Sequence, residues 1–476
     1  MLEYFEIFGL LIILLLSFFV LVNFFSENKL ERNTPADFRF AKAKPKSTSW
    51  IVYFLVSLIL VGITYYQLIS FRSNITRWVY PVVLFSFVWN NFLLISSLQY
   101  QPFALDKDIE TVELKTAVVI PVYNEDQIMF EKMLNSLTNQ TSLPFVVYII
   151  EDGSQEENKV EEIVNKWRKT VPFKVVYQYI INSGKRVAQS RAFFDYQEQV
   201  DIFLTMDSDT LLDKKALYEG CIPFQDPEIM SVAGLLLAEN KTTLISKLLS
   251  ISFPVSFTNG RASASVYNGV SVSCGGLALY RNVVIEKFLE HYLNQIVFGQ
   301  RAMFGDDRML THYASLLGKT VYQETAIGYT LMPENISHLT RQRVRWWKSF
   351  WWGGMFIIRY HSIKYSIWWL IALQYVSQLL YFIVFPFVLF VYPFQMSRFP
   401  WSILLYMIVL GYMRGSRLLD IRESSGEYYI SRVKYFLYTP ISTFFNIYLG
   451  TILAYYGFLM MAKVQGWGTR EQVEVS

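Results

Sequence analysis

The chain has 476 residues, of which 53% are hydrophobic and only 17% are charged. Soluble domains are about one-quarter charged, so this composition argues against a purely water-soluble protein. The formal net charge of +4 is too small for the strongly basic face of a typical nucleic-acid-binding protein, and no nucleic-acid partner is expected.

The first hundred residues contain three apolar segments, at residues 7–25, 50–70 and 78–98. About 20 apolar residues are enough to cross the hydrocarbon core of a bilayer as a helix, so residues 1–100 are predicted to form three transmembrane helices. The loop between the first two segments carries more Lys and Arg than Asp and Glu. By the positive-inside rule this loop is cytoplasmic, which places the N-terminus outside and residue 101 onward in the cytoplasm.

Residues 101–340 are predicted to form a cytosolic α/β domain. Short apolar, partly β-branched runs at 117–120, 145–150, 173–177 and 202–206 alternate with helical patterns. This alternation is typical of a parallel sheet with helices on both faces. In such sheets, ligands bind beyond the carboxyl ends of the strands, and acidic residues follow the second and fourth runs at these points.

Asp207 and Asp209 directly follow the fourth run. In an extended segment, residues i and i+2 project to the same side, so the two carboxylates can share one Mg²⁺ or Mn²⁺ ion through oxygen ligands. A metal held in this way usually keeps several waters and binds substrate phosphates. The alternative is a solvated turn or a helix N-cap, and the position directly after an apolar strand favours the metal.

Two further polar motifs precede predicted helices. Gly184-Lys185-Arg186 places a flexible glycine before two cations, which suits a diphosphate group, although a surface basic pair is the alternative. Gly305-Asp306-Asp307-Arg308 combines two adjacent acids with an arginine. Adjacent acids raise the pKa values of one another, so one can act as a base while the other orients it or pairs with Arg308. An ordinary helix N-terminus, where acids are favoured, is the alternative.

Residues 341–365 mix tryptophans with arginines and lysines and are predicted to form an amphipathic helix in the membrane interface. On a helix Gln342, Arg345 and Trp346 share one face, where they can hold a diphosphate and stack on a sugar ring. A tryptophan belt with snorkelling arginines is the alternative, and both descriptions can hold together. Residues 366–434 are predicted to form a transmembrane hairpin and a cytosolic loop.

The order of these motifs resembles the processive family 2 glycosyltransferases, which make polysaccharides while embedded in a membrane. The resemblance covers residues 115–355 and the flanking helices, and it is most specific for the hyaluronan synthases. It is carried by Asp152, Asp207-Ser208-Asp209, Gly305-Asp306-Asp307-Arg308-Met309-Leu310-Thr311, Gln342-Arg343-Val344-Arg345-Trp346 and Trp467-Gly468-Thr469-Arg470. The last of these motifs resembles the gating loop of those enzymes.

The resemblance implies a GT-A-like cytosolic domain with transmembrane helices at both ends and amphipathic interface helices. It implies that Asp152 contacts uracil or ribose, that Asp207 binds the nucleotide and that Asp209 binds the metal. Asp307 would be the general base, with Asp306 and Arg308 beside it in the catalytic set. Lys185, Arg345 and Arg186 would neutralise the departing UDP, with Gln342 on the same helix face as Arg345.

The resemblance also concerns the acceptor sugar. Trp346 would stack under the acceptor ring, Cys274 would line the acceptor site, and Trp467 and Arg470 would reach the pocket from the cytosol. Residues 435–476 would therefore form a re-entrant or interfacial helix followed by the gating loop. The segment around Cys274 reads Ser-Cys-Gly-Gly-Leu, whereas hyaluronan synthases usually read Ser-Gly-Pro-Leu, and this departure leaves the sugar open.

The implied activity is processive, inverting polymerisation of UDP-activated sugars with Mg²⁺ or Mn²⁺. UDP-GlcNAc and UDP-GlcA would give hyaluronan, secreted through a channel formed by the same chain. The expected partners are UDP-sugar donors, the growing polysaccharide and the lipid bilayer, in a multi-pass plasma-membrane protein with a cytoplasmic catalytic domain. The alternatives are a synthase of a chitin-like or other β-glycan and a non-processive, lipid-linked glycosyltransferase.

Overall fold

The structure is a computed structural model that describes residues 80–105, 113–154, 159–386, 401–421 and 429–464. The predicted apolar segments at 7–25 and 50–70 lie outside the described residues. The motif that contains Trp467 and Arg470 lies outside them as well.

An eight-stranded sheet organises the domain, with the strand order β3-β2-β1-β4-β7-β6-β10-β5, and a short β8–β9 hairpin lies beside it. Alternate residues of β1 face two different apolar clusters, because side chains of a strand point to opposite faces of the sheet. The strands are β1 (Thr116–Val122), β2 (Val146–Asp152), β3 (Lys174–Ile180), β4 (Ile202–Thr205), β5 (Leu211–Leu212), β6 (Ile229–Ala238), β7 (Ala278–Arg281), β8 (Ile296–Val297), β9 (Gln300–Arg301) and β10 (Lys319–Thr330).

The expectation of a parallel sheet is confirmed for the four strands from which it was drawn, β1 to β4, but the whole sheet is mixed because β5 and β7 pair antiparallel with their neighbours. Strands β1, β2, β3 and β4 pair in parallel, as do β6 and β10. Strand β7 pairs antiparallel with both β4 and β6, and β5 pairs antiparallel with β10. Ala278 at the start of β7 pairs with Thr205 at the end of β4, so the segment before β7 lies next to Asp207 and Asp209.

Helices cover both faces of the sheet and continue beyond it. The described α-helices are α1 (Tyr80–Gln99), α2 (Gln127–Thr138), α3 (Val160–Trp167), α4 (Lys185–Tyr196), α5 (Ala216–Cys221), α6 (Leu244–Val255), α7 (Ala262–Val266), α8 (Asn282–Asn294), α9 (Asp306–Leu317), α10 (Ile336–Tyr360), α11 (Ser366–Pro386), α12 (Trp401–Gly415) and α13 (Tyr429–Leu459). A π-helical turn, Ser256–Arg261, joins α6 to α7.

The predicted membrane segments correspond to helices wherever they are described. Helix α1 matches the third apolar segment, α11 and α12 match the predicted hairpin, and α10 begins at Ile336, before the predicted interface helix. Within the described ranges, Arg432–Leu459 is the segment long and apolar enough to cross a membrane by length and composition, with a mean hydropathy of 1.2.

Helix α13 is continuous over 31 residues, although it contains Pro440. A Cβ atom on Gly411 of α12 would lie 2.5 Å from the Pro440 Cα, so a residue without a side chain lets the two helices touch at the proline. A re-entrant or interfacial position for this helix stays a prediction.

Candidate active site

A cleft of about 1060 Å³, measured with the solvent at its mouth, lies between the carboxyl end of β4, the start of α9 and helix α10. It brings together acids and cations that are far apart in the sequence. The predicted site residues that line it are Lys185, Asp207, Asp209, Cys274, Asp306, Asp307, Gln342, Arg345 and Trp346. Residues of the motif after the fourth strand, of the two motifs before helices and of the predicted face of α10 therefore line one cleft.

Lys185 connects two of the acidic motifs. Its Nζ lies 2.6 Å from Asp207 Oδ1 and 3.1 Å from Asp306 Oδ2. Burial alone would lower the pKa of Lys185, but the negative charges of Asp207 and Asp306 outweigh burial and raise the pKa above its usual value. Lys185 is therefore protonated at neutral pH and holds a fixed positive charge in the cleft.

Asp152 fixes the loop that leads into α4. Its carboxylate accepts hydrogen bonds from the backbone N–H groups of Ser183, at 2.7 Å, and Gly184, at 2.9 Å. Burial raises the pKa of Asp152, and these two bonds offset part of that rise because they favour the charged form. The loop that Asp152 holds delivers Lys185, whereas Asp152 itself does not line the cleft.

Asp307 lies in the first turn of α9, directly after Gly305 and Asp306. Its Oδ1 accepts a hydrogen bond from the Arg308 N–H at 2.7 Å, and its Oδ2 accepts one from the Gly275 N–H at 3.2 Å. Burial, and then the charge of Asp306, raise the pKa of Asp307. An oriented carboxylate with a raised pKa in a cleft is suited to accept a proton from a sugar hydroxyl.

Arg186 does not reach the cleft, which corrects the expectation that it contacts the diphosphate. Its guanidinium is buried and donates to the Tyr292 carbonyl at 3.2 Å, to Gln295 Oε1 at 2.7 Å and to the Phe304 carbonyl at 2.9 Å. A buried charge is retained where carbonyl groups satisfy its donors. Arg186 therefore holds the segment that precedes Gly305 and shapes the site indirectly.

Arg308 also points away from the cleft. Its guanidinium carbon lies 5.8 Å from the centre of the Phe350 ring, and its stem contacts the position of Gly353 in α10. Burial lowers the pKa of Arg308, although the charge of Asp307 opposes this change. Arg308 therefore joins α9 to α10, while its backbone N–H supports the Asp307 carboxylate.

Helix α10 contributes three residues to the cleft beyond those that the sequence predicted, namely His338, Arg343 and Ser349. Gln342, Arg345 and Trp346 line the cleft, and so does Arg343, whose guanidinium lies 4.9 Å from the centre of the Trp346 ring. The Trp346 ring stacks on Phe253 of α6 at 6.1 Å with an interplanar angle of 23°. Arg343 belongs to the same sequence motif. It was left out of the predicted site because it does not share the helix face of Gln342, Arg345 and Trp346.

Glu125, a polar residue that follows the first strand in the sequence, was not included in the predicted site. Its buried carboxylate accepts a hydrogen bond from Ser208 Oγ, the residue between Asp207 and Asp209. The Asn124 N–H, from the residue before Glu125, donates to Ser154 Oγ at 3.0 Å. The polar residues after β1, β2 and β4 are therefore joined by hydrogen bonds. Their common position after strands was the sequence feature that could have indicated this contact.

The residues present fit a divalent cation that the substrate helps to hold. Asp207 and Asp209 both line the cleft, and Asp207 Oδ1 is bonded to Lys185. Within the described residues, no group of three or more His, Cys, Asp or Glu side chains is arranged to hold a metal. Mg²⁺ is often bound by one or two carboxylates together with substrate phosphates and waters, and this cleft offers that kind of donor set.

Known proteins with similar sequences are glycosyltransferases. The family described as Glycosyl transferase family 2 matches residues 117–289. A hyaluronan synthase of Streptococcus pyogenes is 36% identical over 301 residues, covering 62% of this chain and 69% of that protein. An N-acetylglucosaminyltransferase of Azorhizobium caulinodans is 27% identical over 248 residues, covering 52% of this chain and 62% of that protein.

Solved structures align with this chain only at low sequence identity. The mannosyltransferase PcManGT of Pyrobaculum calidifontis, in complex with GDP-Man and Mn²⁺, aligns with a TM-score of 0.49 at 13% identity, covering 86% of this chain and 99% of that chain. Residues 1–349 of TarS from S. aureus, in complex with UDP-GlcNAc, align with a TM-score of 0.39 at 16% identity, covering 69% of this chain and 91% of that chain. At identities this low, both proteins are remote from this chain in sequence.

The matched family region contains β1, β2, β4 and β7, together with the acids that follow the first three of these strands. The similarity to the streptococcal enzymes extends over most of their length. The chain therefore belongs to glycosyltransferase family 2, as an inverting hexosyltransferase that resembles the hyaluronan synthases.

Proposed function

We propose that the chain is a processive polysaccharide synthase that joins UDP-GlcNAc and UDP-GlcA into hyaluronan and secretes the polymer through its own membrane helices. The observation that supports this most is a single cleft with groups for both a donor and an acceptor. Lys185, Asp207, Asp209 and Arg345 are the charged lining residues suited to a nucleotide diphosphate, here called the donor side, and Trp346 and Cys274 belong to the proposed acceptor side. Asp307 lines the same cleft.

On the donor side, Lys185 and Arg345 provide positive charge for the diphosphate. Negative charge develops on UDP as its bond to the sugar breaks, and fixed cations in a partly buried cleft stabilise that charge without rearranging. When bound at Asp207 and Asp209, Mg²⁺ or Mn²⁺ supplies further positive charge to the leaving group. Asp152 keeps the loop before Lys185 in place through its two backbone hydrogen bonds.

On the acceptor side, Asp307 takes the proton from the acceptor hydroxyl. The hydroxyl oxygen forms a bond to the anomeric carbon of the donor, and the bond between that carbon and UDP breaks, with its electron pair leaving on UDP. A single displacement of this kind converts an α-linked donor into a β-linked product. Trp346 offers an aromatic surface for the acceptor ring, and Cys274 lies beside Asp307 in the cleft wall.

The base assignment predicts the behaviour of Asp307→Asn. Membranes that contain the wild-type protein should release UDP from UDP-GlcNAc plus UDP-GlcA in the presence of Mg²⁺ or Mn²⁺. Loss of a general base lowers turnover by about 100- to 10,000-fold, so UDP release should nearly disappear in the variant. Binding of UDP should persist, because Lys185 and Asp207 are unchanged. UDP release and equilibrium binding of labelled UDP are the two measurements.

Asp201→Asn is the matched control for this experiment. Asp201 is exposed, and its carboxylate accepts a hydrogen bond from the Lys115 backbone away from the cleft. The control should retain wild-type turnover. Full polymer synthesis by Asp307→Asn would remove Asp307 from the role of base.

A synthase that uses UDP-GlcNAc alone is the second candidate. The relatives described as N-acetylglucosaminyltransferases favour it, and the Cys274-Gly275-Gly276 segment, whose departure from the hyaluronan synthase pattern leaves the sugar open, lines the cleft. Labelled nucleotide sugars supplied singly and in pairs separate the candidates. Polymer from UDP-GlcNAc alone indicates a chitin-like product, whereas a dependence on both donors indicates hyaluronan. Single additions recovered on a lipid would indicate a non-processive enzyme.

A further inference from the structure

The segment Ser273–Gly276 and the first turn of α9 are joined by a set of buried hydrogen bonds. The Gly275 N–H donates to Asp307 Oδ2 at 3.2 Å. The Ser273 N–H donates to Thr311 Oγ1 at 2.9 Å, and Thr311 Oγ1 in turn donates to the Asp307 carbonyl at 2.7 Å. These hydrogen bonds therefore hold the Ser273–Gly276 segment and the Asp307 carboxylate together as one unit.

Tyr280 completes this unit from β7. Its side chain is fully buried, and its hydroxyl lies 3.2 Å from the Asp307 carbonyl and 3.5 Å from the Ser273 carbonyl. Burial, and then the charge of Asp307, raise the pKa of Tyr280 well above its usual value, so the hydroxyl keeps its proton at every working pH. The protonated Tyr280 hydroxyl is thus a hydrogen-bond donor that lies between the Ser273–Gly276 segment and the first turn of α9.

We propose that Tyr280 is a positioning residue, whose hydroxyl acts with Thr311 to fix the Asp307 carboxylate against the Ser273–Gly276 segment of the acceptor side. This inference rests on the proposed role of Asp307 as the general base. A base that is misplaced by about 1 Å can lose a hundredfold in rate, so a residue that fixes its position affects the chemical step. The Tyr280 hydroxyl is directed at the Asp307 and Ser273 carbonyls, and Tyr280 does not line the cleft in which the donor is proposed to bind.

The test is Tyr280→Phe, which removes one oxygen atom and keeps the ring. We expect kcat to fall by about 10-fold, with the KM for each UDP-sugar unchanged, because only the alignment of the base is affected. We also expect the acid limb of the kcat–pH profile to move to higher pH. When the Ser273–Gly276 segment loosens, the Gly275 N–H stabilises the charged Asp307 carboxylate less, and the pKa of Asp307 rises further.

Tyr313→Phe is the matched control. Tyr313 is another fully buried tyrosine of the same apolar cluster, and its hydroxyl lies 2.7 Å from His291 Nδ1, away from the acceptor side. If loss of a buried hydroxyl only reduced the amount of folded enzyme, both variants would keep the wild-type kcat per folded molecule and the wild-type pH profile. That result, or equal losses of kcat in both variants, would overturn the proposal.

Substitutions of Thr311 provide an independent test in case Tyr280→Phe does not accumulate. Thr311→Val should lower kcat and move the acid limb in the same direction, whereas Thr311→Ser, which keeps the hydroxyl, should restore both. Full turnover by Asp307→Asn would instead refute the base assignment itself. Wild-type kinetics in Tyr280→Phe and Thr311→Val, combined with an inactive Asp307→Asn, would refute the positioning role alone.

Discussion

At the scale of single residues, Gly305 shows how a backbone conformation sets the position of the acids. Gly305 precedes α9 with a φ of +70°, a region that residues with a Cβ atom rarely adopt. A Cβ atom there would also lie 2.8 Å from Trp352 Cζ2 and 3.0 Å from Ser349 Cβ in α10. Both the turn and the close approach of α10 therefore require glycine before Asp306.

Gly305→Ala should consequently destabilise the protein by about 1–3 kcal/mol or more and lower turnover, because strain and overlap displace the first turn of α9. The variant Gly299→Ala separates backbone strain from steric overlap as causes of the destabilisation. Gly299 has a φ of +78°, but a Cβ atom added there would meet no atom within 4 Å beyond its chain neighbours. Gly299→Ala should show the cost of strain alone, with normal turnover. Unfolding midpoints in detergent and UDP release provide the comparison, and equal behaviour of the two variants would contradict this account.

The location of a site residue in the fold is easier to predict from sequence when the residue follows a strand than when its partners come from distant segments. Asp207, Asp209 and Asp307 line one cleft, because strand ends and helix starts of an α/β sheet converge at one edge. Arg186 was misplaced, because its acceptors in α8 and before α9 become neighbours only through the tertiary fold. The support of Asp307 by Tyr280 and Thr311 depends on β7 and was equally out of reach.

At the scale of elements, strand β10 connects the sheet to the helices beyond it. Its pairing with β6 changes register between Gln323 and Ile327, and Glu324 lies in this interruption. Glu324 Oε2 lies 2.7 Å from a guanidinium nitrogen of Arg417, and both side chains are largely buried. The Tyr100 hydroxyl after α1 donates to the Tyr322 carbonyl at 2.8 Å in the same region.

Glu324→Gln should therefore destabilise the protein by about 3–5 kcal/mol, because it removes the ion-pair partner that lies 2.7 Å from the buried Arg417 guanidinium. Replacing both residues, with Glu324→Gln and Arg417→Met, should recover part of this loss. Glu228→Gln is the control, because the Glu228 side chain is 67% exposed in its pair with Lys319. An exposed pair contributes about 0–1 kcal/mol, so a control as damaging as Glu324→Gln in urea unfolding would contradict the prediction.

The elements themselves were predictable to different degrees. Runs of apolar, β-branched residues gave β1, β2 and β4, and helical patterns gave α10, α11 and α12. The direction of β7 was not predictable, since four residues, Ala278–Arg281, carry no mark of antiparallel pairing. The unbroken course of α13 through Pro440 depends on its contact with Gly411, which local sequence does not show.

At the scale of the whole molecule, the helices and the catalytic domain are joined by specific contacts. Ser442 Oγ of α13 donates to the Leu248 carbonyl of α6 at 2.8 Å, and Asn259 Nδ2 donates to the Arg414 carbonyl of α12 at 2.5 Å. Phe253 of α6 stacks in turn on Trp346 in the cleft. A chain of contacts through α6 therefore connects Trp346 in the cleft with the helices that are proposed to carry the polymer.

Sealed inverted vesicles test the proposed coupling of synthesis to secretion. UDP-sugars added outside should reach the cytoplasmic domain and give polymer inside the vesicle, because a hydrated glycan does not cross hydrocarbon unaided. An added polysaccharide-degrading enzyme should spare this polymer until detergent is present. A preformed polymer added outside serves as the control and should be degraded at once. New product degraded equally fast without detergent would contradict secretion through the chain.

The ion pairs of Lys185 have a consequence for the catalytic cycle. Lys185 already pairs with two carboxylates, so a diphosphate that binds to it must replace those partners. We therefore expect the affinity for UDP-sugar to be a small difference between two strong interactions. When the sugar has been transferred, the same carboxylates compete with UDP for the lysine. The resting site thereby favours departure of the spent nucleotide, which suits an enzyme that has to empty its donor site after every added sugar.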